Sequence, residues 1–143
     1  MIRHQEVATA AGTKATLIDS ISFVTEEDTD SIIVCASHGG ASSGEYASKF
    51  RLGLVIFNDA GVGKGNAGIQ ALALLEQHGV ASGAVCHNTA RIGDVLDQWE
   101  NGTISHVNSL ARPIIQPGQS VKEAVNAWAS QAALVGVKLR GTK

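Results

Sequence analysis

The chain has 143 residues, of which 44% are hydrophobic and only 17% charged, with a formal net charge of −2 at neutral pH. That length suits one core, so residues 1–143 are expected to form a single domain. The slightly acidic balance argues against a nucleic-acid partner, which requires a basic face, and no apolar run approaches the roughly 20 residues of a membrane span.

The first residues, Met1-Ile2-Arg3-His4-Gln5-Glu6, carry an acid and lead into no long apolar stretch, so they do not read as a secretory signal. Cys35 and Cys86 each lie in an apolar run, far from the dense framework of a secreted miniature domain. Both features point to the cytoplasm. The charge fraction falls below the roughly 25% of ordinary globular chains, which predicts burial against further copies and hence a homo-oligomer.

Residues 1–15 read as a loosely specified arm, and residues 17–24 alternate weakly, as an edge strand or a short helix does. The pattern then sharpens. Ser31-Ile32-Ile33-Val34-Cys35-Ala36 is a continuous apolar run rich in β-branched residues, as expected of a strand covered on both faces. A helix is predicted over residues 42–50, a second buried strand over 53–57 and a helix over 66–78 closed by Gly79. A third strand over 80–86, a helix over 92–100 and a short strand over 103–107 follow. Pro113 and Pro117 mark a loop. Ser120 and Glu123 form a capping box that opens a last helix ending near Leu134, and residues 138–143 are expected to fray. Trp99 and Trp128 sit at helical spacing, as core or subunit contacts do. Strands alternating with helices predict a Rossmann-like α/β fold: a three-layer open sheet of four to five mostly parallel strands flanked by helices.

In such sheets ligands bind beyond the carboxyl ends of the strands, where the strand order reverses. The residues expected there are Ser37-His38, Asn58-Asp59, Cys86-His87 and Ser105-His106. Between Asn58 and Asn66 lie Gly61, Gly63, Lys64 and Gly65, a strand-to-helix loop whose amides suit an anion and whose lysine adds a charge. The bland alternative is a turn that serves strand-to-helix geometry alone. A nucleoside-triphosphate loop is excluded, because Asn58 and Gly65 stand where it needs glycine and Ser or Thr. The dinucleotide fingerprint fails at Asn66, so hydride transfer is not expected and no cofactor is predicted.

His38 is a candidate general base, with Gly39 and Gly40 offering backbone amides to a substrate. The layout strand-His-Gly, then strand-Asn-Asp-Ala-Gly, resembles that of caspase-type hydrolases over a short stretch. Their cysteine's slot is Gly61 here, so that chemistry is not implied and no family is assigned. Asp59 is expected to orient His38, and His87 or His106 to act as a second proton carrier. The Asn58–Lys64 loop and Arg91 would hold an acidic group. Asp94 opens the helix after Arg91. No short His-x-x-His spacing points to a metal, so a metal site would have to be assembled by the fold. Cys86 beside His87 reads more readily as packing than as a nucleophile. The expected function is a small enzyme acting on an anionic metabolite by acid/base chemistry of hydrolase, isomerase or lyase type. The alternative is a non-catalytic metabolite-binding or regulatory module using the same glycine-rich loop.

Overall fold

The β-branched run at Ile32, Ile33 and Val34 is satisfied only by burial on both faces, and the computed structural model places it at the centre of a six-stranded sheet. The structure describes residues 1–137 and 139. The strands are β1 (Gln5–Ala8), β2 (Lys14–Ile18), β3 (Ile32–His38), β4 (Leu54–Asn58), β5 (Ser82–Val85) and β6 (Ile104–Val107). The helices are α1 (Ala41–Ala47), α2 (Gln70–Gln77), α3 (Val95–Asn101) and α4 (Val121–Leu134). The strands stand side by side in chain order.

The chain is α/β, as expected, but the sheet is mixed rather than mostly parallel and has six strands rather than four or five. Strands β2 to β5 are parallel, and β1 and β6 close the two edges antiparallel. The arm expected over residues 1–15 is instead a hairpin. Its turn is held by the Thr9 amide donating to the Thr13 carbonyl at 2.9 Å, with Gly12 at φ +82°. Strand β1 shows no alternation in sequence because only Val7 is even half-buried, and charge at such an edge discourages pairing with another chain. At the other edge, the chain leaves β5 and returns beside it, the Cys86 amide donating to the Thr103 carbonyl at 2.8 Å. A segment that starts and ends at one strand end forces β6 to run backwards.

Alternation along the central strands builds two cores. Ile32, Val34, Leu54 and Ile56 point to one face with Val95, Trp99, Val121, Ala124 and Val125 from α3 and α4. Ile33, Cys35, Val55 and Phe57 point to the other, under Ala47 of α1 and Ala71, Leu72 and Leu75 of α2. Trp128 packs half-buried against the first cluster. The capping box of α4 forms as the sequence predicts, Ser120 Oγ accepting from the Glu123 amide at 3.0 Å. Of the tail expected over residues 138–143, only Leu139 lies among the described residues, and it is buried.

Because the strands lie in chain order, the strand-order reversal expected to mark a ligand crevice does not exist. A different feature takes its place. The connections after β3 and β4 both lead to the face carrying α1 and α2, whereas the connection after β5 leads to the α3 face. Adjacent loops that part to opposite faces leave a gap above the strand ends they come from. The loops that part in this way are those after β4 and β5. Among the described residues, no helix is long and apolar enough to cross a membrane.

Candidate functional site

Two consecutive residues leave β4 in opposite senses. Asn58 is fully buried and committed to the fold, its Nδ2 donating to the Ala90 carbonyl at 3.1 Å and Gln98 Oε1 at 3.4 Å, its Oδ1 accepting from the Ala60 amide at 2.9 Å. Its side chain is thus taken up by the fold rather than presented at the surface, and it ties the loop after β5 to the end of β4. Asp59 continues the sheet by one bond, its amide donating to the Val85 carbonyl at 2.8 Å, and its side chain is only 4% exposed.

The Asp59 carboxylate is a hub. Oδ1 accepts from the Gly61 amide at 2.8 Å and the His87 amide at 3.1 Å, and Oδ2 accepts from the Ser105 hydroxyl at 2.7 Å. The ring of His87 brings Nδ1 to 3.4 Å from Oδ1. The ring of His106 brings Nδ1 to 2.9 Å from Ser105 Oγ and 3.9 Å from Asp59 Oδ2. Burial pushes this carboxyl up, but the hydrogen bonds from Ser105, Gly61 and the His87 amide, with the nearby His87 ring, outweigh it and hold it below its ordinary value. It is ionised at neutral pH. The two imidazoles are half-exposed, at 47% and 40%, so each has one nitrogen turned inward and an edge in solvent.

Ser105 and His106 reach this cluster because β6 is antiparallel. In a parallel strand, the carboxyl end would carry them to the site; here the start of β6 lies beside the end of β5, with Ile104 opposite Val85 and His106 opposite Ala84. The expectation placed the residues near the crevice for the wrong topological reason. Ser105, which links His106 to Asp59, is expected at the strand end but without a role, and no spacing signal announces a hydroxyl that bridges the two.

The glycine-rich loop is more contorted than a strand-to-helix turn. Ala60, Gly61, Val62, Gly63, Gly65 and Asn66 all have positive φ, and for β-branched Val62 at +65° that is a strained state. Residues Lys64–Ile69 form a 3-10 segment with left-handed Gly65 and Asn66, and the regular helix begins only at Gln70 rather than at the predicted residue 66. The free helix N-terminus expected to cradle an anion is thus not at Asn66. Gly68 proves indispensable, since a Cβ there would collide with the carbonyl oxygen of Asp59. Lys64 and Gly63 are exposed on the loop, and the Gly63 amide is used by the Gly61 carbonyl at 2.7 Å.

His38 does not join the cluster by contact. It ends β3 opposite Asn58, and its Nδ1 accepts from the Gly40 amide at 3.2 Å; among the described residues it makes no hydrogen bond or ion pair with Asp59. The Gly39 amide donates to the Asn58 carbonyl at 3.0 Å. Both backbone donors expected to face a substrate are therefore occupied, and a Cβ at Gly39 would press on the Gly68 carbonyl and Phe57. Arg91 is exposed after β5, its amide donating to Asp97 Oδ2 at 2.8 Å, and Asp94 caps α3 by accepting from the Asp97 amide at 3.1 Å.

The two cysteines differ. Cys35 is fully buried, and burial pushes its thiol up to about 11. Cys86 is half-buried just past β5, and among the described residues Asp59, Cys86 and His87 each offer a ligand atom within 4.8 Å of the others. These three are the residues that fit a metal ion by chemistry and placement. No protein-family model, curated protein or solved structure matches this chain, so its own geometry alone carries the functional reading.

Proposed function

We propose that this chain is an enzyme acting on a small anionic metabolite by acid/base chemistry in the gap above β4 and β5. The observation that carries the reading is the convergence of two half-exposed imidazoles, His87 directly and His106 through Ser105, on one buried, ionised carboxylate. Carboxylate contact favours the tautomer with a proton on Nδ1, which leaves a lone pair on Nε2. Such a nitrogen takes a proton from substrate or water, and Asp59 stabilises the imidazolium that results. The second imidazole, held by a hydroxyl rather than by the carboxylate itself, returns a proton at the other end of the reacting group. Lys64 and Arg91, exposed on the two loops that border the gap, supply the attraction for an anion. Hydrolysis, isomerisation and elimination all need this pairing of base and acid.

In this reading the role first assigned to His38 passes to His87, and His38 stays at the neighbouring strand end. The test is a turnover screen over phosphate- and carboxylate-bearing metabolites, followed by His87→Ala and His106→Ala. Each replacement is expected to lower kcat/KM by about 10²-fold or more. Turnover that survives both replacements overturns the proposal. A second reading, a non-catalytic metabolite-binding module, is favoured by one observation: Asp59 already binds Gly61, His87 and Ser105, as a loop anchor would. It predicts a ligand that raises the melting temperature and is never converted. Self-association belongs to the same proposal, since Ile92 and Leu96 remain exposed beside α3, and light scattering at micromolar concentration tests it.

A further inference from the structure

We infer that Asp59, Cys86 and His87 form a zinc site. The inference rests on the reading above and changes one role in it: held to zinc through Nδ1, His87 serves as a ligand, and water in the metal's open position would take over as the proton acceptor, with His106 kept as the second proton carrier. Three unlike donors, a carboxylate oxygen, a thiol sulfur and a ring nitrogen, lie within 4.8 Å of one another. Thiolate and imidazole together select zinc over magnesium or calcium, which take oxygen ligands. In a tetrahedral zinc site, bonds of about 2.0–2.3 Å place neighbouring ligand atoms roughly 3.3–3.7 Å apart. His87 Nδ1 and Asp59 Oδ1 already stand at 3.4 Å. The remaining pairs lie within 4.8 Å, so closure around an ion draws them together by up to about 1.5 Å, and Asp59 Oδ1 exchanges one of its two amide hydrogen bonds for the metal.

The local backbone explains why neighbours in sequence face one point. Side chains alternate along a strand, but Cys86 and His87 lie beyond the end of β5, where the Thr89 amide donating to the Cys86 carbonyl at 3.0 Å turns the chain. The segment is pinned at both residues, the Cys86 amide to Thr103 at 2.8 Å and the His87 amide to Asp59 Oδ1 at 3.1 Å. The Asp59 carboxylate is oriented in turn by Gly61 and Ser105, the support that ligating carboxylates receive in metal sites. Among the described residues no hydrogen bond holds the Cys86 thiol in place, so it is free to turn onto a metal. Three protein ligands leave a fourth position for water or for the anion, the pattern of a catalytic rather than a structural zinc.

The test uses the full chain, stripped with a chelator and titrated with zinc against a competing indicator, then with cobalt. Expected are one zinc per chain and a thiolate-to-cobalt charge-transfer band. Cys86→Ser is expected to remove that band and, like His87→Ala, to weaken zinc at least about hundredfold, more than the loss of an outer-shell partner alone would. His78→Ala, at the exposed end of α2, is the control and keeps full affinity. A wild-type chain without the thiolate band, or a Cys86→Ser variant that binds zinc as tightly, overturns the site. His106→Ala separates the two readings, since it is expected to keep zinc while losing turnover. Turnover that needs His106 in a chain that binds no zinc sinks the metal alone. Zinc bound through Cys86 in a chain that converts no anionic metabolite sinks the enzyme alone.

Discussion

Two neighbouring strand ends carry a histidine and yet are built for different purposes. At the end of β3, His38 turns back on its own chain to accept the Gly40 amide, and Gly39 is used by Asn58; the turn satisfies itself. At the end of β4 and β5, three separate segments meet on Asp59: the loop at Gly61, the turn at His87 and the start of β6 at Ser105 and His106. The difference lies in where the connections go. Those after β3 and β4 leave on the same side of the sheet and pack against each other, whereas those after β4 and β5 part to opposite sides. The lesson is that a histidine at a strand end gains partners only where the backbone around it diverges.

The comparison breaks most visibly at its hub. Asp59→Ala leaves the Gly61 amide, the His87 amide and the Ser105 hydroxyl without their acceptor, and should cost about 3 kcal/mol of stability in urea denaturation. A loss no larger than that of an exposed surface substitution would show that the segments do not depend on it. Next come the histidines: with a turnover assay in hand, His87→Ala and His106→Ala should each lower activity about 10²-fold, while His38→Ala leaves it nearly unchanged. Equal losses at all three positions would erase the distinction between the two strand ends.

Acid titration sharpens the same point. The folded-state pKa of Asp59 lies below its ordinary value of 3.8, so the unfolded chain binds the proton more readily. Its stabilisation is therefore complete above that ordinary value and is lost as the pH falls through the folded-state pKa. Denaturation midpoints measured down this acid limb should fall more steeply for the wild type than for Asp59→Asn. The smallest effect is chemical. In metal-free buffer a thiol reagent should label Cys86 quickly and Cys35 only on unfolding, because burial holds the Cys35 thiol near 11. Cys86→Ser should abolish the fast phase alone.

Much of the fold is legible in local pattern. The unbroken apolar runs at β3 and β4, the capping box at Ser120 and Glu123 and the closing Gly79 are signals carried by adjacent residues, and each element stands where its pattern predicts within a few residues. Strand β1 is not legible, because an exposed edge needs no hydrophobic alternation. Nor is the direction of β6, which depends on a return path set by long-range bonds such as Cys86 to Thr103. Of the expected site, Asp59, His87 and His106 come together, whereas Asn58 turns inward because alternation sends it to the face opposite Phe57. No local pattern marks Gly68, since its need for a bare Cα arises from a carbonyl nine residues earlier in the chain.

Residue order alone thus determines the buried strands β3 and β4 and the capped helix ends, since burial periodicity and end-capping act over a few residues. Which polar side chains meet was decided only in three dimensions. Asp59 has partners from three places in the chain because sheet register and the opposite departure of two loops bring them there, and neither quantity is written in any short stretch of sequence.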